Sequence, residues 1–254
     1  MPDIISDQPD KNQKISIIVP VLNEEEGIET FLSALTCQLA LTAAGSAADI
    51  ILADGGSSDR TLEIASAFNK VRIVRCGAAN RGLQMNKGSR AASGEILLFL
   101  HADVSLPANS LDSITAALSD PKISGGAFQI TFPPDSPVSL SRVAWGINLR
   151  TRLFTTATGD QAIFIRRDIF EKLGGYPEIP LFEDITLFNA MKNAGRAVIL
   201  PGKVEISPRR WLSFGVWRTV MLMYLLRGAF WLGFDPVKMK KLFVDVREKK
   251  KFKV

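Results

Sequence analysis

The sequence is poor in the residues that build most thiol and zinc chemistry. Its 254 residues include two cysteines, Cys37 and Cys76, and one histidine, His101. Two isolated thiols make no metal pattern and allow one disulfide at most; they are expected as buried free thiols in a reducing compartment. Neither GxxxxGK[ST] nor GxGxxG occurs, which excludes a P-loop and a dinucleotide fingerprint. No charge-free apolar run approaches the ~20 residues that span a bilayer. The most apolar stretch, Leu212 to Phe234, is interrupted by Arg218 and Arg227. Met1 to Lys14 is polar and lacks the apolar centre of a signal peptide, so residues 1–14 are expected as a flexible lead-in.

Acidic balance is missing at one end only. From Asp235 onward there are eight Lys/Arg against three acids, which accounts for the whole net charge of +5. The rest of the chain is neutral overall, so the basic balance describes a tail, and no nucleic-acid partner is expected.

What the chain does have is a set of short buried-strand patterns, each followed by a polar loop holding an acid. Ile96-Leu97-Leu98-Phe99-Leu100 is an unbroken apolar run that ends in His101-Ala102-Asp103. Such a run suits a strand buried on both faces of a parallel sheet, and ligands of open α/β sheets bind beyond the carboxyl ends of the strands. Ile15 to Val19 predicts a first strand stopped by Pro20, and Asn23 with Glu26 suggests a capping-box-like helix start. Ile28, Phe31, Leu32 and Leu35 follow at helical spacing. Asp49 to Ala53 predicts a second strand, Asp54-Gly55-Gly56-Ser57-Ser58-Asp59 a turn capped by Asp59, and Thr61 to Phe68 a helix. Taken alone, the loop acids are equally well read as favourable partners of helix N-termini.

Together these segments resemble the family 2 glycosyltransferases of the GT-A fold. The residues that carry the resemblance are Val19-Pro20-Val21-Leu22-Asn23-Glu24-Glu25, Asp54-Gly55-Gly56-Ser57-Ser58-Asp59-Arg60-Thr61 and His101-Ala102-Asp103. The last departs from the usual Asp-x-Asp, since His101 stands in place of the first acid, and it is similar to a bacterial subgroup with His-Ala-Asp there. The resemblance implies an α/β fold with a Rossmann-like mixed sheet flanked by helices, and a nucleotide-diphospho-sugar donor. It implies that Pro20, Leu22, Asn23, Glu24 and Asp54 hold the nucleoside. It implies that Asp103 binds a divalent ion, Mg²⁺ or Mn²⁺, on the donor diphosphate. One carboxylate suffices for such an ion, because hard cations complete their shell with phosphate oxygens and water. His101 is assigned to the nucleotide side, as a hydrogen-bond partner of ribose or phosphate rather than a metal ligand.

The remainder carries weaker signals. Val71 to Val74 predicts a strand, Asn86 to Ala92 a helix, and Gly125 to Phe132 a strand with one wet face. Arg81 and Lys87 read as solvated cations rather than phosphate contacts. Val138 to Thr155 has a helical pattern that includes Trp145, Ile147, Leu149, Leu153 and Phe154, and either packs or lines an acceptor cleft. Thr158-Gly159-Asp160-Gln161 predicts an acceptor-side loop, since an Asp-Gln pair can accept from and donate to sugar hydroxyls. Glu183-Asp184 opens a helix; the family carries such a pair, and the resemblance implies Asp184 as catalytic base with Glu183 beside it on the acceptor side. Arg210 and Trp211 resemble the family's Arg-Trp element and are placed there too.

Residues 15–207 are thus expected as one catalytic domain and 208–254 as a helical, basic extension. That extension has three readings: packing on the catalytic body, a homodimer contact, or contact of 212–254 with an anionic membrane; the protein is expected to be cytoplasmic, in the last case at the inner face of the membrane. The implied reaction is inverting transfer of a sugar to a hydroxyl acceptor. Two rivals remain open: a nucleotidyltransferase, which the acidic, glycine-free first loop disfavours, and a nucleotide-sugar-binding or scaffolding protein without turnover, kept open by His101.

Overall fold

The computed structural model describes residues 14–240. The lead-in up to residue 13 and the lysines beyond Lys240 lie outside the described residues.

Eight strands form one sheet: β1 (Ile15–Val21), β2 (Asp49–Asp54), β3 (Val71–Arg75), β4 (Ile96–Phe99), β5 (Val104–Ser105), β6 (Ile123–Thr131), β7 (Ile163–Arg166) and β8 (Arg196–Ile206). Eleven helices accompany them: α1 (Ile28–Ala40), α2 (Ala43–Ala47), α3 (Thr61–Ser66), α4 (Arg81–Ala91), α5 (Ser110–Ala117), α6 (Val138–Phe154), α7 (Arg167–Lys172), α8 (Glu183–Ala194), α9 (Arg209–Phe214), α10 (Val216–Trp231) and α11 (Pro236–Lys240). The strand order is β3-β2-β1-β4-β7-β6-β8-β5. The first four sheet neighbours run parallel, β7 is antiparallel to β4 and to β6, and β6 is parallel to β8.

The period-two alternation of the strands divides the core. Ile15, Ile17, Val19 and Val21 of β1 pack with Ile28, Leu32 and Leu35 of α1 on one face, joined by α5 and α6. Ile18 points to the other face, with Met85 of α4, Phe170 of α7 and Leu187, Phe188 and Met191 of α8. This is the three-layer arrangement that parallel strands buried on both faces require.

The topology brings one set of loops together. Because β1, β2 and β4 are parallel, their carboxyl ends lie on the same edge. Because β7 is antiparallel to β4, with Ile163 opposite Phe99, the turn that leads into β7 lies at that edge too.

Several expectations are corrected. Pro20 does not stop β1 but lies within it, opposite Ala53 of β2. It can do so because pairing with β4 covers only Ile15–Ile18, so no ladder bond to β4 is asked of its missing N–H. Asn23 does not cap α1, whose cap is Gly27; it adopts a left-handed φ of 53° instead. Helix α4 starts at Arg81, five residues before the expected Asn86, because the Asn80 side chain accepts from the Leu83 N–H. β6 is buried along most of both faces rather than wet on one, since it is an interior strand between β7 and β8. Cys76 is buried as expected but Cys37 is exposed. On α6, Trp145, Leu153 and Phe154 face outward, while Leu140, Val143 and Ala144 are buried.

The segment after residue 207 shares the main core. Trp211 packs edge-to-face on Phe132 at 5.9 Å between centroids. Val216, Val220 and Met223 pack against the same cluster, and Leu226 is buried. The chain turns between α9 and α10 at Gly215, whose φ of 83° suits glycine. Of the three readings of this segment, packing on the body therefore describes its inner face.

Candidate active site

The first two loops are fastened to each other before any ligand arrives. The Asn23 N–H donates to Ser57 Oγ at 3.0 Å, and Asn23 Oδ1 accepts from the Ser58 N–H at 2.9 Å. The Glu24 N–H donates to Thr61 Oγ1 at 2.7 Å, and the Glu25 N–H to Asp59 Oδ2 at 3.1 Å. Asp54 ends β2 almost fully buried, and its carboxylate accepts from the N–H groups of Gly56 and Ser57. A carboxylate has about four lone-pair sites, so Asp54 retains acceptor capacity beyond the two bonds that hold its own loop. Pro20, Leu22, Asn23, Glu24 and Asp54 thus form one preformed wall at the ends of β1 and β2.

Gln84 is a residue that the sequence reading missed. It is buried on α4, and its amide donates to the carbonyls of Val21 (3.0 Å) and Ala53 (2.8 Å), the last turns of chain before each loop. It fell in the loop expected before a helix at Asn86, and its partners come from the sheet.

Beyond β4, His101 is partly buried and Asp103 exposed. Burial is the main force that holds the His101 imidazole down to about 4, aided by the positive charge of Arg81 and opposed by Asp103 and Asp160. His101 is therefore neutral at pH 7. Among the described residues no three His, Cys, Asp or Glu side chains gather closely enough to hold a metal ion alone.

The 3₁₀ turn Gly159–Gln161 sits where β7 begins beside the end of β4. The Gly159 N–H donates to Asp184 Oδ2 at 2.6 Å, while Asp184 Oδ1 accepts from the Ile185 N–H. A Cβ on Gly159 would lie 2.7 Å from His101 Nε2 and 3.4 Å from Asp184 Oδ2. One glycine therefore links the β4 loop to the first turn of α8. Gly159→Ala is expected to lower kcat/KM about tenfold or more by displacing His101 or Asp184, with thermal stability nearly unchanged. Steady-state kinetics beside a melting curve checks this.

Glu183 and Asp184 differ in exposure. Glu183 is buried and Asp184 partly open. Burial, then the neighbouring Asp184 charge, pushes Glu183 up to about 7. Burial also raises Asp184, against the hydrogen bonds from Gly159 and Ile185 that favour its charged form. The raised Glu183 value has a stability consequence of definite sign. The folded state binds this proton more tightly, so stability falls as pH climbs from the ordinary ~4.3 towards 7. Glu183→Gln is expected to be more stable than the parent by about 2 kcal/mol near pH 8 and no different near pH 4. Denaturant melts at the two pH values measure it.

Three acceptor-side assignments change. Gln161 is fully buried; its Nε2 donates to Phe128 O at 2.8 Å and its Oε1 accepts from the Thr158 N–H at 3.1 Å. Its amide builds the turn and is not offered to a sugar. Trp211 is buried against Phe132 and offers no stacking face. Asp160 accepts from the Thr158 hydroxyl, so it too holds the turn while staying part-exposed. Arg210 lies near His101, close enough to act on its charge.

Other cations emerge that the sequence did not single out for this place. Arg81, read as a solvated cation, opens α4 and acts on His101, Glu183 and Asp184. Lys87, by contrast, donates to Cys76 O at 2.9 Å, a structural bond. Arg150 of α6 and Arg227 of α10 both feel the charges of Asp160 and Asp184. Helix α10 closes over this side, with Phe230 4.7 Å from Phe182 between ring centroids.

A sheet of this order, with polar loops of β1, β2 and β4 facing an acidic helix start across one edge, defines the GT-A class of α/β folds. Residues 16–174 match the family described as Glycosyl transferase family 2. The chain belongs to that family. It is 32% identical over 169 residues to a PGL/p-HBAD biosynthesis glycosyltransferase of Mycobacterium bovis, covering 63% of this chain and 62% of the relative. It is 27% identical over 175 residues to glycosyltransferase AglE of Haloferax volcanii, covering 64% and 56%. The chain thus spans about three fifths of the length of the curated relatives it matches. Among solved structures, residues 1–349 of S. aureus TarS align with a TM-score of 0.60 at 18% identity, over 77% of this chain and 61% of that one. A mannosyltransferase of Pyrobaculum calidifontis, in complex with GDP-Man and Mn²⁺, aligns with a TM-score of 0.56 at 21% identity, over 77% and 58%. Both likenesses concern the fold.

Proposed function

We propose that this protein transfers a sugar from a nucleotide diphosphate donor to an acceptor hydroxyl with inversion, using Asp184 as base. The observation that carries this reading is the Gly159–Asp184 hydrogen bond, which fixes a carboxylate of raised pKa at the edge where β2 delivers Asp54 and β4 delivers Asp103. The wall built by residues 20–24 and Asp54 takes the nucleoside. Asp184 accepts the proton of the acceptor hydroxyl as that oxygen bonds to the anomeric carbon. The bond from that carbon to the diphosphate breaks on the opposite side, and its electron pair leaves with the phosphate. His101, neutral, hydrogen-bonds the donor from the β4 loop.

The donor set suits a divalent ion. Asp103 is an exposed hard oxygen donor with no competing cluster among the described residues. Asp103 would hold such an ion by one carboxylate, leaving the rest of its shell to donor phosphates and water. Bound so, the ion supplies Lewis-acid neutralisation of the leaving diphosphate. Asp103→Ala is expected to abolish the metal-dependent part of donor affinity and to lower turnover about a hundredfold, with folding intact. Donor hydrolysis across Mn²⁺ and Mg²⁺ titrations tests it. Donor binding without turnover by the parent, whatever the acceptor, would favour the non-catalytic rival.

The outer side of α6 and α10 rests, in this reading, on an anionic membrane surface. α6 and α10 pack together, and Trp145, Phe154, Trp217, Tyr224 and Trp231 are all exposed on them. Exposed Arg142, Arg152 and Arg218 share these helices. Interfacial aromatic rings among cations suit a headgroup layer. No helix of the described residues is long and apolar enough to cross a membrane.

A further inference from the structure

Among the described residues, one partly buried cation without a partner feels the charge of the proposed base. Among the described residues, Arg150 Nε is shielded from water and has no hydrogen-bond partner. Neither Arg150 nor Arg227 forms an ion pair within 4 Å there. Arg227 makes one long bond, from Nη2 to Thr156 Oγ1 at 3.4 Å. Partly buried guanidinium groups ordinarily meet a carboxylate in bidentate fashion. Two carboxylates, Asp160 and Asp184, are near enough to act on both arginines, but among the described residues neither comes within 4 Å of them as an ion pair. The hydrogen bonds those carboxylates do make go to the N–H groups of Gly159 and Ile185 and to the Thr158 hydroxyl. Two like charges have therefore been brought together and left without their usual partner.

We infer that Arg150 and Arg227 form an anion subsite on the acceptor side of the cleft. The acceptor then carries a phosphate or carboxylate beside the hydroxyl that Asp184 deprotonates. The inference rests on the transferase reading for the word acceptor, but the anion subsite itself does not. Two groups of cations act on this edge. Arg81 and Arg210 act on His101, next to Asp103, and Arg81 acts on Glu183 and Asp184 as well. Arg150 and Arg227 act with Asp160, Asp184 and Tyr224. They come from α6 and α10, the two helices that leave aromatic side chains exposed. Burial, with Arg227 alongside, brings Arg150 down to about 10, a cost that a bound anion would relieve.

The test uses the full chain with UDP or GDP plus Mn²⁺ present to fill the donor side. Inorganic phosphate is then titrated by calorimetry and by thermal shift. The parent is expected to bind phosphate and to melt higher with it. The double variant Arg150→Gln, Arg227→Gln is expected to bind phosphate at least about tenfold more weakly. It should melt no lower than the parent without phosphate, since an unpaired buried charge is gone. Arg150→Lys, which keeps charge but loses the planar fork, is expected to fall between the two. Unchanged phosphate binding in the double variant overturns the subsite. Equal loss of nucleotide affinity overturns its acceptor-side placement, because the arginines would then hold the donor. Failure of both nucleotides to bind the parent, with phosphate binding intact, sinks the transferase reading alone. Glycerol 3-phosphate and phosphatidylcholine vesicles with or without phosphatidic acid separate the sources. Arginine-dependent binding of the former marks a small water-borne acceptor, and arginine-dependent flotation with the latter a lipid-borne one.

Discussion

Asp184→Asn is expected to lower kcat by about 10²–10⁴-fold, the range for loss of a general base, while donor affinity changes little. The substitution is chosen because it leaves the geometry nearly intact. An amide oxygen can still accept from the Gly159 N–H, now at 2.6 Å from Oδ2, so the turn before β7 keeps its place, and only the bond from the Ile185 N–H to Oδ1 is lost. What is lost is the capacity to take a proton. The pH profile separates this from a structural effect. Burial raises the Asp184 pKa, so the parent is inactive where the carboxyl is protonated. Its activity then rises with pH along a limb displaced above the ordinary aspartate range near 3.9. In the variant that limb disappears and the residual rate is flat. Glu183, pushed up to about 7 by burial, is separated from the base by running Glu183→Gln beside it. Full turnover by Asp184→Asn would remove the base assignment.

The fold was legible where one physical signal dominated. Unbroken apolar runs such as Ile96–Leu100 have only one comfortable home, a strand covered on both faces, and β1, β2 and β4 took it. Loops at the ends of such strands must meet at one edge, so the meeting of the β1 and β2 loops followed from the strand pattern, whereas the nucleoside role proposed for them came from the family resemblance. Long-range polar bonds were not legible. Asn23 looked like a helix cap because the local sequence permits one, yet its side chain reaches Ser58 across the sheet edge. Gln161 and Trp211 looked available to a sugar because their types are common in such sites; burial against Phe128 and Phe132 engages them otherwise. Arg150 carried no sequence signal, and Arg227 showed only as a charge interrupting an apolar stretch. Seventy-odd residues apart, they matter only because α6 and α10 pack together beside α8. Apolar aromatic positions on α6 misled in the opposite direction: Trp145 and Phe154 satisfy a helical pattern but face out.

Gln84→Met is expected to destabilise the protein by about 2–4 kcal/mol, since it removes a buried donor from two backbone acceptors. Both acceptors lie in the paired stretch of β1 and β2. Val21 O also accepts from the Gly55 N–H at 2.9 Å. Ala53 O loses the 2.8 Å bond from the Gln84 amide. Methionine keeps the length and fills the volume, so the loss is polar rather than a cavity. For a chain of this size the deficit corresponds to a melting temperature roughly 5–15 °C lower. The same amide touches the donor loop, because a Cβ on Gly55 would lie 3.1 Å from its carbonyl and nitrogen atoms. Release of the strand ends should therefore raise the donor KM several-fold in the fraction that stays folded, with kcat little changed, because Gly159 and Asp184 are held from other strands. Equal losses of kcat and affinity would show instead that the two halves of the site are coupled through α4, which also packs on α8. Gln84→Glu sharpens the comparison: a carboxylate facing two carbonyls has no proton to give near neutral pH, and is expected to be less stable than the methionine variant until acid protonates it.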